Sequence, residues 1–194
     1  MTGIIILAAG SSSRMGQPKQ QLIYQEQTLL QRAIQVTVNI ADHKTIVVLG
    51  AHHEKLLTDV DSKIADIVIN AEWEKGMGSS VKTGVATLLE LYPQIDSALL
   101  MLCDQPFVTT ELLQQLIAKG NDDEKAIVAC SYQNTTGVPV LFGKFWFDQL
   151  LALQGQEGAK NILTKYKEQV TQVSFAQGAI DIDTPADYQK LLNS

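Results

Sequence analysis

The sequence predicts an α/β protein built on a doubly wound, mostly parallel (mixed) sheet, and three observations carry that expectation. Strand-like apolar runs alternate with amphipathic, helix-like stretches almost without a break. Two of the runs, Gly3 to Ala9 and Ser97 to Cys103, are apolar on both faces, as parallel strands covered by helices on both sides must be. No repeat, low-complexity tract or linker interrupts the pattern, so residues 1–194 read as a single domain, a length that fills one α/β core. In such sheets the ligand lies outside the carboxyl ends of the strands.

The elements follow in order. After the Gly3 to Ala9 strand and a polar loop, Thr28 opens a helix through Leu29, Leu30, Ala33, Ile34 and Val38, apolar at helical spacing. Lys44 to Leu49 is a β-branched strand, His52 to Ser62 a short helix and Asp66 to Ile69 a strand. A glycine-broken loop from Asn70 to Gly78 leads into a helix running to about Tyr92. Ser97 to Cys103 is a central strand, Thr109 or Thr110 caps a helix ending at Gly120, and Ala126 to Ser131 is a strand. Gly137 to Phe142 reads as a strand, followed by a helix carrying Phe145, Trp146, Phe147, Leu150 and Leu151. Glu157 to Tyr166 is expected as a helix and Val170 to Phe175 as a strand; Thr184-Pro185 starts a final helix with Pro at its first position.

The loop after the first strand is the most informative segment. Leu7 to Lys19 reads L-A-A-G-S-S-S-R-M-G-Q-P-K. Small residues leave the backbone amides of Gly10 to Ser13 as donors, and Arg14 and Lys19 supply charge, a combination that grips a polyphosphate. Gly10 and Gly16 are too far apart for a P-loop, and the segment lacks the tighter spacing of a dinucleotide fingerprint. Asp104 is the second candidate. It stands just after the most apolar strand, at the same sheet edge, where a carboxylate facing a polyphosphate is expected to hold Mg²⁺ together with substrate oxygens.

Composition narrows the function classes. The formal net charge is −6, which argues against general nucleic-acid or anionic-membrane binding. The chain's arginines are Arg14 and Arg32, so one of these scarce bidentate donors sits in the loop. Ile4 to Ala9 is too short for a signal-peptide core, and no apolar stretch approaches the roughly 20 residues that span a bilayer. Cys103 and Cys130 fall in apolar runs and read as buried thiols of a reducing cytoplasm, while His43, His52 and His53 read as solvated surface residues.

The loop resembles the signature of nucleotidyltransferases, and within the MobA-like superfamily it is most similar to the molybdenum cofactor cytidylyltransferases; guanylyl-transferring relatives usually carry glycine where this chain has Ala9. Further segments resemble the family's motifs in the same order. Leu102-Cys103-Asp104-Gln105-Pro106 matches L-C-D-Q-P, Asn70 to Ser80 matches N-x-x-W-x-x-G-M-G-S-S, and Asp181 to Tyr188 matches D-I-D-T-P-x-D-Y. Two matches are partial: Val138 replaces the histidine of G-H-P-x-L-F, and Gln156 and Lys160 depart from G-D-x-G-A-R.

The resemblance implies a Rossmann-like fold of the nucleotide-diphospho-sugar transferase type. It implies transfer of CMP from CTP to the phosphate of molybdopterin, with Mg²⁺, or Mn²⁺ in its place. Arg14, Lys19 and Asp104 are then catalytic, and Asp104 and Asp183 hold the metal. Asp181 is set aside, because alternation along a strand points it to the other face. The nucleotide is bound by Leu7, Ala8, Ala9, Gly10, Arg14, Lys19, Gly78, Ser79 and Ser80, with Ser80 placed against the pyrimidine. Implied partners are CTP, the molybdenum cofactor, and a molybdenum hydroxylase or its accessory protein, with no nucleic acid and no membrane. The rival expectations are another small phosphate acceptor, an isoprenoid precursor or sugar phosphate, and a non-catalytic nucleotide-binding accessory factor.

Overall fold

The apolar runs become neighbouring strands of one sheet. The computed structural model describes residues 1–121, 123–156 and 158–193. In chain order the elements are β1 (Thr2–Ala8), β2 (Ile23–Tyr24), β3 (Gln27–Thr28), α1 (Leu29–Gln35), β4 (His43–Leu49), α2 (His53–Leu56), β5 (Asp66–Ile69) and α3 (Met77–Leu91). They continue as β6 (Ser97–Leu102), α4 (Thr110–Gly120), β7 (Ile127–Tyr132), β8 (Thr135–Gly143), α5 (Phe147–Leu151), α6 (Lys160–Lys165), β9 (Val170–Ser174) and α7 (Pro185–Leu192).

The sheet has seven strands in the order β5-β4-β1-β6-β8-β7-β9, and β2 and β3 form a separate small hairpin. β1 pairs in parallel with β4 on one side and β6 on the other, so the chain winds outward from β1 through β4 to β5 and then returns to start the second half at β6. This reversal puts a crevice at the carboxyl ends of β1 and β6, where Leu7 pairs with Leu102. β8 is the antiparallel strand, paired with β6 and β7.

Two layers of side chains cover the sheet. Every residue of β1 is buried. Ile4, Ile6, Val47, Leu49, Leu99 and Met101 pack with residues of α1 and α4, while Ile5, Leu7, Ile46, Val48 and Leu100 pack with α3, α5 and α6. Alternation along strands with apolar residues at every position requires both layers. A third, smaller cluster of Met15, Leu22, Leu29, Ile182 and Leu191 ties the loop after β1 to the segment leading into α7.

Helix boundaries follow local chemistry. Thr28 closes a capping box with Gln31 at the start of α1, and Thr184 does the same with Asp187 at α7. Thr109, rather than Thr110, caps α4. α1 ends at Gln35 instead of reaching Val38: the β-branched run Val36-Thr37-Val38 follows, and the Thr37 hydroxyl donates to the Ile34 carbonyl (2.8 Å). The helix expected over His52 to Ser62 shrinks to α2 and a 3₁₀ turn, Leu57–Asp59. Of the helix expected from Glu157 to Tyr166, the described part is Lys160–Lys165, and Glu157 lies outside the described residues. No helix among the described residues is long and apolar enough to cross a membrane.

α3 lies close on the sheet because Gly84 has no side chain. A Cβ there would stand 2.6 Å from Ile5 Cγ2 and 3.0 Å from Val48 Cγ2, in the middle of strands that cannot yield. Gly84→Val is therefore expected to cost about 1–3 kcal/mol of stability through overpacking; urea unfolding midpoints of the two proteins measure it.

Candidate active site

The loop between β1 and α1 is held open by its own side chains. Ser12, at φ 54°, accepts from the Lys19 backbone amide through its hydroxyl (3.0 Å), and its carbonyl accepts from the Met15 and Gly16 amides (2.9 and 3.3 Å). Gln20 is 1% exposed; its amide donates to the Ala8 and Gly10 carbonyls (2.9 and 3.1 Å), and its carbonyl oxygen accepts from the Ser12 hydroxyl (3.3 Å). His52 Nε2 donates to the Ser11 carbonyl (2.9 Å). These bonds engage the Gly10, Ser11 and Ser12 carbonyls and leave the neighbouring amides. Among the described residues, the N–H groups of Gly10, Ser11, Ser12 and Ser13 donate to nothing in the chain, as an anion-binding nest requires.

Across the crevice stands a chain of alternating charges. The Lys19 ammonium bonds to Asp104 Oδ2 and to Asp183 Oδ1 (2.9 Å), and Arg14 bonds to Asp183 Oδ2 (2.9 Å). Asp104 arrives from the end of β6, Lys19 from the loop, and Asp183 from just before α7, where Thr184 takes the capping role and leaves the aspartate free. Burial pulls the Lys19 pKa down, but the Asp104 and Asp183 carboxylates outweigh it and hold the ammonium above its ordinary value. Burial would raise the Asp183 pKa, yet Lys19 and Arg14 keep it below the usual carboxylate range.

The donor set suits a hard divalent cation. Asp104 is 6% exposed, and its Oδ1 is buried with no hydrogen-bond partner, a costly arrangement for a carboxylate unless a ligand completes it. No cluster of three or more His, Cys, Asp or Glu is assembled among the described residues. Two carboxylates with room for substrate oxygens and water match Mg²⁺ or Mn²⁺ rather than an all-protein cage.

Two adjoining cavities flank this cluster. The first, of about 340 Å³, is lined by Leu7, Ala8, Ala9, Gly10, Ser11, Lys19, Ser80 and Asp104, with Trp73 and Met77 beside them. The second, of about 370 Å³, is lined by Val81, Tyr132, Thr135, Val138, Lys160 and Asp181 among others, and Leu7, Met77, Leu102 and Gln156 border both. Arg14, Gly78, Ser79 and Asp183 line neither. Arg14 and Asp183 join the site through their ion pairs. Gly78 is turned elsewhere: its amide donates to the Gly155 carbonyl (2.9 Å), and a Cβ on it would meet Gln154. Ser79 is occupied internally, its hydroxyl bonded to Asn70 and to the Glu72 and Gly76 carbonyls.

Several sequence-based expectations change here. Asp181 lines the second cavity and Asp183 does not, but no strand is present there; Ile182 between them is fully buried, its amide bonded to the Asp104 carbonyl (3.0 Å). The histidines are half-buried and bonded to backbone carbonyls instead of simply solvated. Cys103 and Cys130 are free and buried, as expected, and burial pushes both thiols up to about 12. Gln20 and Asn70 carry no charge and no motif chemistry of their own. Gln20 stands in the Pro18-Lys19-Gln20 triplet, and Asn70 heads the N-x-x-W segment, which are the signals that could have found them.

Comparison with known proteins identifies the family. The model of the MobA-like NTP transferase domain matches residues 4–170. Nicotine blue oxidoreductase of Paenarthrobacter nicotinovorans is 31% identical over 118 residues, covering 60% of this chain and 55% of that protein. Purine catabolism protein PucB of Bacillus subtilis (strain 168) is 26% identical over 95% of this chain and 92% of its own length. Molybdenum cofactor cytidylyltransferase of Escherichia coli (strain K12) is 27% identical over 95% of this chain and 92% of its own length. Among solved structures, the Mycobacterium sp. strain JC1 homologue of Mycobacterium tuberculosis Rv0371c is 30% identical with a TM-score of 0.84, covering 99% of this chain and 95% of that one. A manganese complex of Rv0371c from M. tuberculosis H37Rv is 26% identical with a TM-score of 0.80, covering 100% and 98%. With the loop after β1 and Asp104 both inside the matched region, which spans most of the chain, the chain belongs to the MobA-like NTP transferase domain family and is a nucleotidyltransferase.

Proposed function

We propose that this protein is a cytoplasmic cytidylyltransferase that transfers CMP from CTP to the terminal phosphate of the molybdenum cofactor in its molybdopterin form. The observation that carries the reading is the Lys19 ammonium shared by Asp104 and Asp183 beside four unengaged loop amides. The cytidylyltransferase relative, aligned over nearly the whole chain, supports the same reaction, and the manganese complex of a structural neighbour supports a divalent metal.

The chemistry asked of the protein is positioning and charge neutralisation. The Gly10 to Ser13 amides, Lys19 and Arg14 receive the triphosphate, and Lys19 and Arg14 balance the departing charge. A phosphate oxygen of the acceptor attacks the α-phosphorus in line; the new P–O bond forms as the bond to the β-phosphate oxygen breaks, and pyrophosphate leaves with the electron pair. Asp104 and Asp183 would hold a divalent cation, which would supply further charge neutralisation. No general base is needed, because a phosphate monoester is largely dianionic near pH 7. Ala8, Ala9 and Gly10 lie against the base, where small side chains admit the ring, and Ser80 meets its polar edge. The second cavity receives the acceptor, with a molybdenum hydroxylase or its accessory protein taking the product.

One observation favours a second reading of the acceptor alone. The second cavity presents Val81, Leu100, Val138 and Val140 as an apolar wall, and Val138 offers no hydrogen bond where the resembling family has histidine. Another small phosphate with a less polar body suits that wall. Relatives named for purine catabolism and nicotine blue oxidation make the acceptor the quantity to measure.

Three experiments test these assignments. Pyrophosphate release with Mg²⁺ and molybdenum-loaded molybdopterin is expected with CTP and not with GTP or ATP; tight CTP binding without release would move the search to other small phosphates. Asp104→Asn keeps the side-chain volume but withdraws a charge, and turnover is expected to fall about 10²–10³-fold; turnover near that of the unaltered protein would overturn the role of Asp104. The third concerns Asp181. Its side chain keeps solvent access, yet the packed cavity wall desolvates its carboxyl, and Asp104 and Asp183 add repulsion, raising its pKa to about 6. The folded state therefore binds the proton more tightly than the unfolded chain, so this group's contribution to stability falls as pH rises from about 4 to about 6 and stays low above. Asp181→Asn is expected to gain melting temperature relative to the unaltered protein at pH 7 and to lose that advantage at pH 4.

A further inference from the structure

The first turn of α3 contains a buried polar network with one loose end. Asn70, at the carboxyl end of β5, is 2% exposed. Its side-chain oxygen accepts from the Glu72 backbone amide (2.9 Å), which fixes the amide orientation, because an N–H can face only the oxygen. Both side-chain N–H groups are thereby directed at the helix, one donating to Ser79 Oγ (2.8 Å) and the other to Ser80 Oγ (3.0 Å). Ser79 passes its own proton to the Glu72 or Gly76 carbonyl (2.9 and 2.8 Å). Ser80 does not. Its hydroxyl accepts from Asn70, is 4% exposed, and among the described residues has no acceptor for its proton, while Ser80 lines the first cavity.

A buried hydroxyl proton without an acceptor is a directed demand on whatever fills the cavity. We infer that Asn70 is a specificity-determining residue: by donating to Ser80 it fixes that hydroxyl as a hydrogen-bond donor and so selects a base with an acceptor at the facing edge. Of the two pyrimidines, cytosine presents a bare N3 there and uracil an N–H. Facing uracil, the Ser80 proton and the N3 proton oppose each other, and Ser80 can accept the N3 proton through its second lone pair only by turning its own proton to a side with no acceptor. Asn70 therefore acts through Ser80 as a positioning residue and touches no substrate. The inference rests on the reading of the first cavity as the nucleotide site.

Asn70→Asp tests it with almost no change of shape. The aspartate still accepts from the Glu72 amide, but its second oxygen can only accept, so the Ser80 hydroxyl must donate to it and offers lone pairs to the ligand. Binding of CTP and UTP to the whole protein with Mg²⁺, measured by calorimetry, gives a ratio of dissociation constants. Added negative charge weakens both triphosphates alike and cancels in that ratio. The unaltered protein is expected to prefer CTP by at least about tenfold, the scale of one hydrogen bond with an unsatisfied alternative, and Asn70→Asp to reduce the preference by about the same factor. Ser80→Ala is expected to lose the preference as well, with Asn70→Asp adding nothing in its background; melting temperatures verify that each variant is folded. An unchanged ratio in folded Asn70→Asp, or equal binding of CTP and UTP by the unaltered protein, would overturn the inference and leave the nucleotide site intact. Failure of the unaltered protein to bind either triphosphate would instead overturn the reading of the cavity.

Discussion

One ammonium group holds the working end of this molecule together. Lys19 comes from the loop after β1, Asp104 from the end of β6 and Asp183 from the approach to α7, and the three segments meet at its nitrogen. A carboxylate as buried as Asp104 is costly unless a positive charge stands against it. The packing beneath agrees with that demand. Met15, Leu22, Ile182 and Leu191 form a small apolar floor that fixes the loop to the C-terminal segment, so the charges are carried on a rigid base. The same lysine is chemically double-edged: it neutralises the carboxylates in the absence of ligand, and it is the cation nearest to where a triphosphate and its metal would enter.

The parts of the fold legible in the sequence are those where one local signal dominates. β1 from Gly3 onward and β6 from Ala98 onward are apolar at every position, which only a doubly covered strand tolerates, and their order already sets the sheet's turning point. Thr28 and Thr184 announce their helices because the capping partners Gln31 and Asp187 follow three residues later. The β2–β3 hairpin was not legible. Its turn is made by Gln25 and Glu26, both at positive φ, where glycine or asparagine is the usual marker. The α1 boundary is hidden for a comparable reason: Thr37 satisfies a carbonyl from its side chain, a choice that hydrophobic spacing does not reveal.

The site divides along the same line. Lys19, Asp104 and Gly10 carry their chemistry in their residue type and their place at strand ends, and the fold brings them together. Gly78 and Ser79 belong to the same motif as Ser80, yet only Ser80 lines the cavity, because the Gly155 carbonyl and the turn at Glu72 occupy the others. Gln20 and Asn70 act by filling hydrogen bonds between segments far apart in the chain or across a turn, and an uncharged amide gives no hint of this before its partners are placed.

The lone reversed strand has a further effect. Because β8 runs against its neighbours, the β7–β8 hairpin tip at Gln133 and Asn134 falls on the same edge as the ends of β1 and β6, next to Tyr132, Thr135 and Val138 of the second cavity. That tip is joined to the sheet only at its base and takes no part in the seam between β1 and β6. A change in its length or residues can reshape the wall of the second cavity while the wall of the first stays as it is. The antiparallel insertion thus splits the crevice into a fixed half and an editable half.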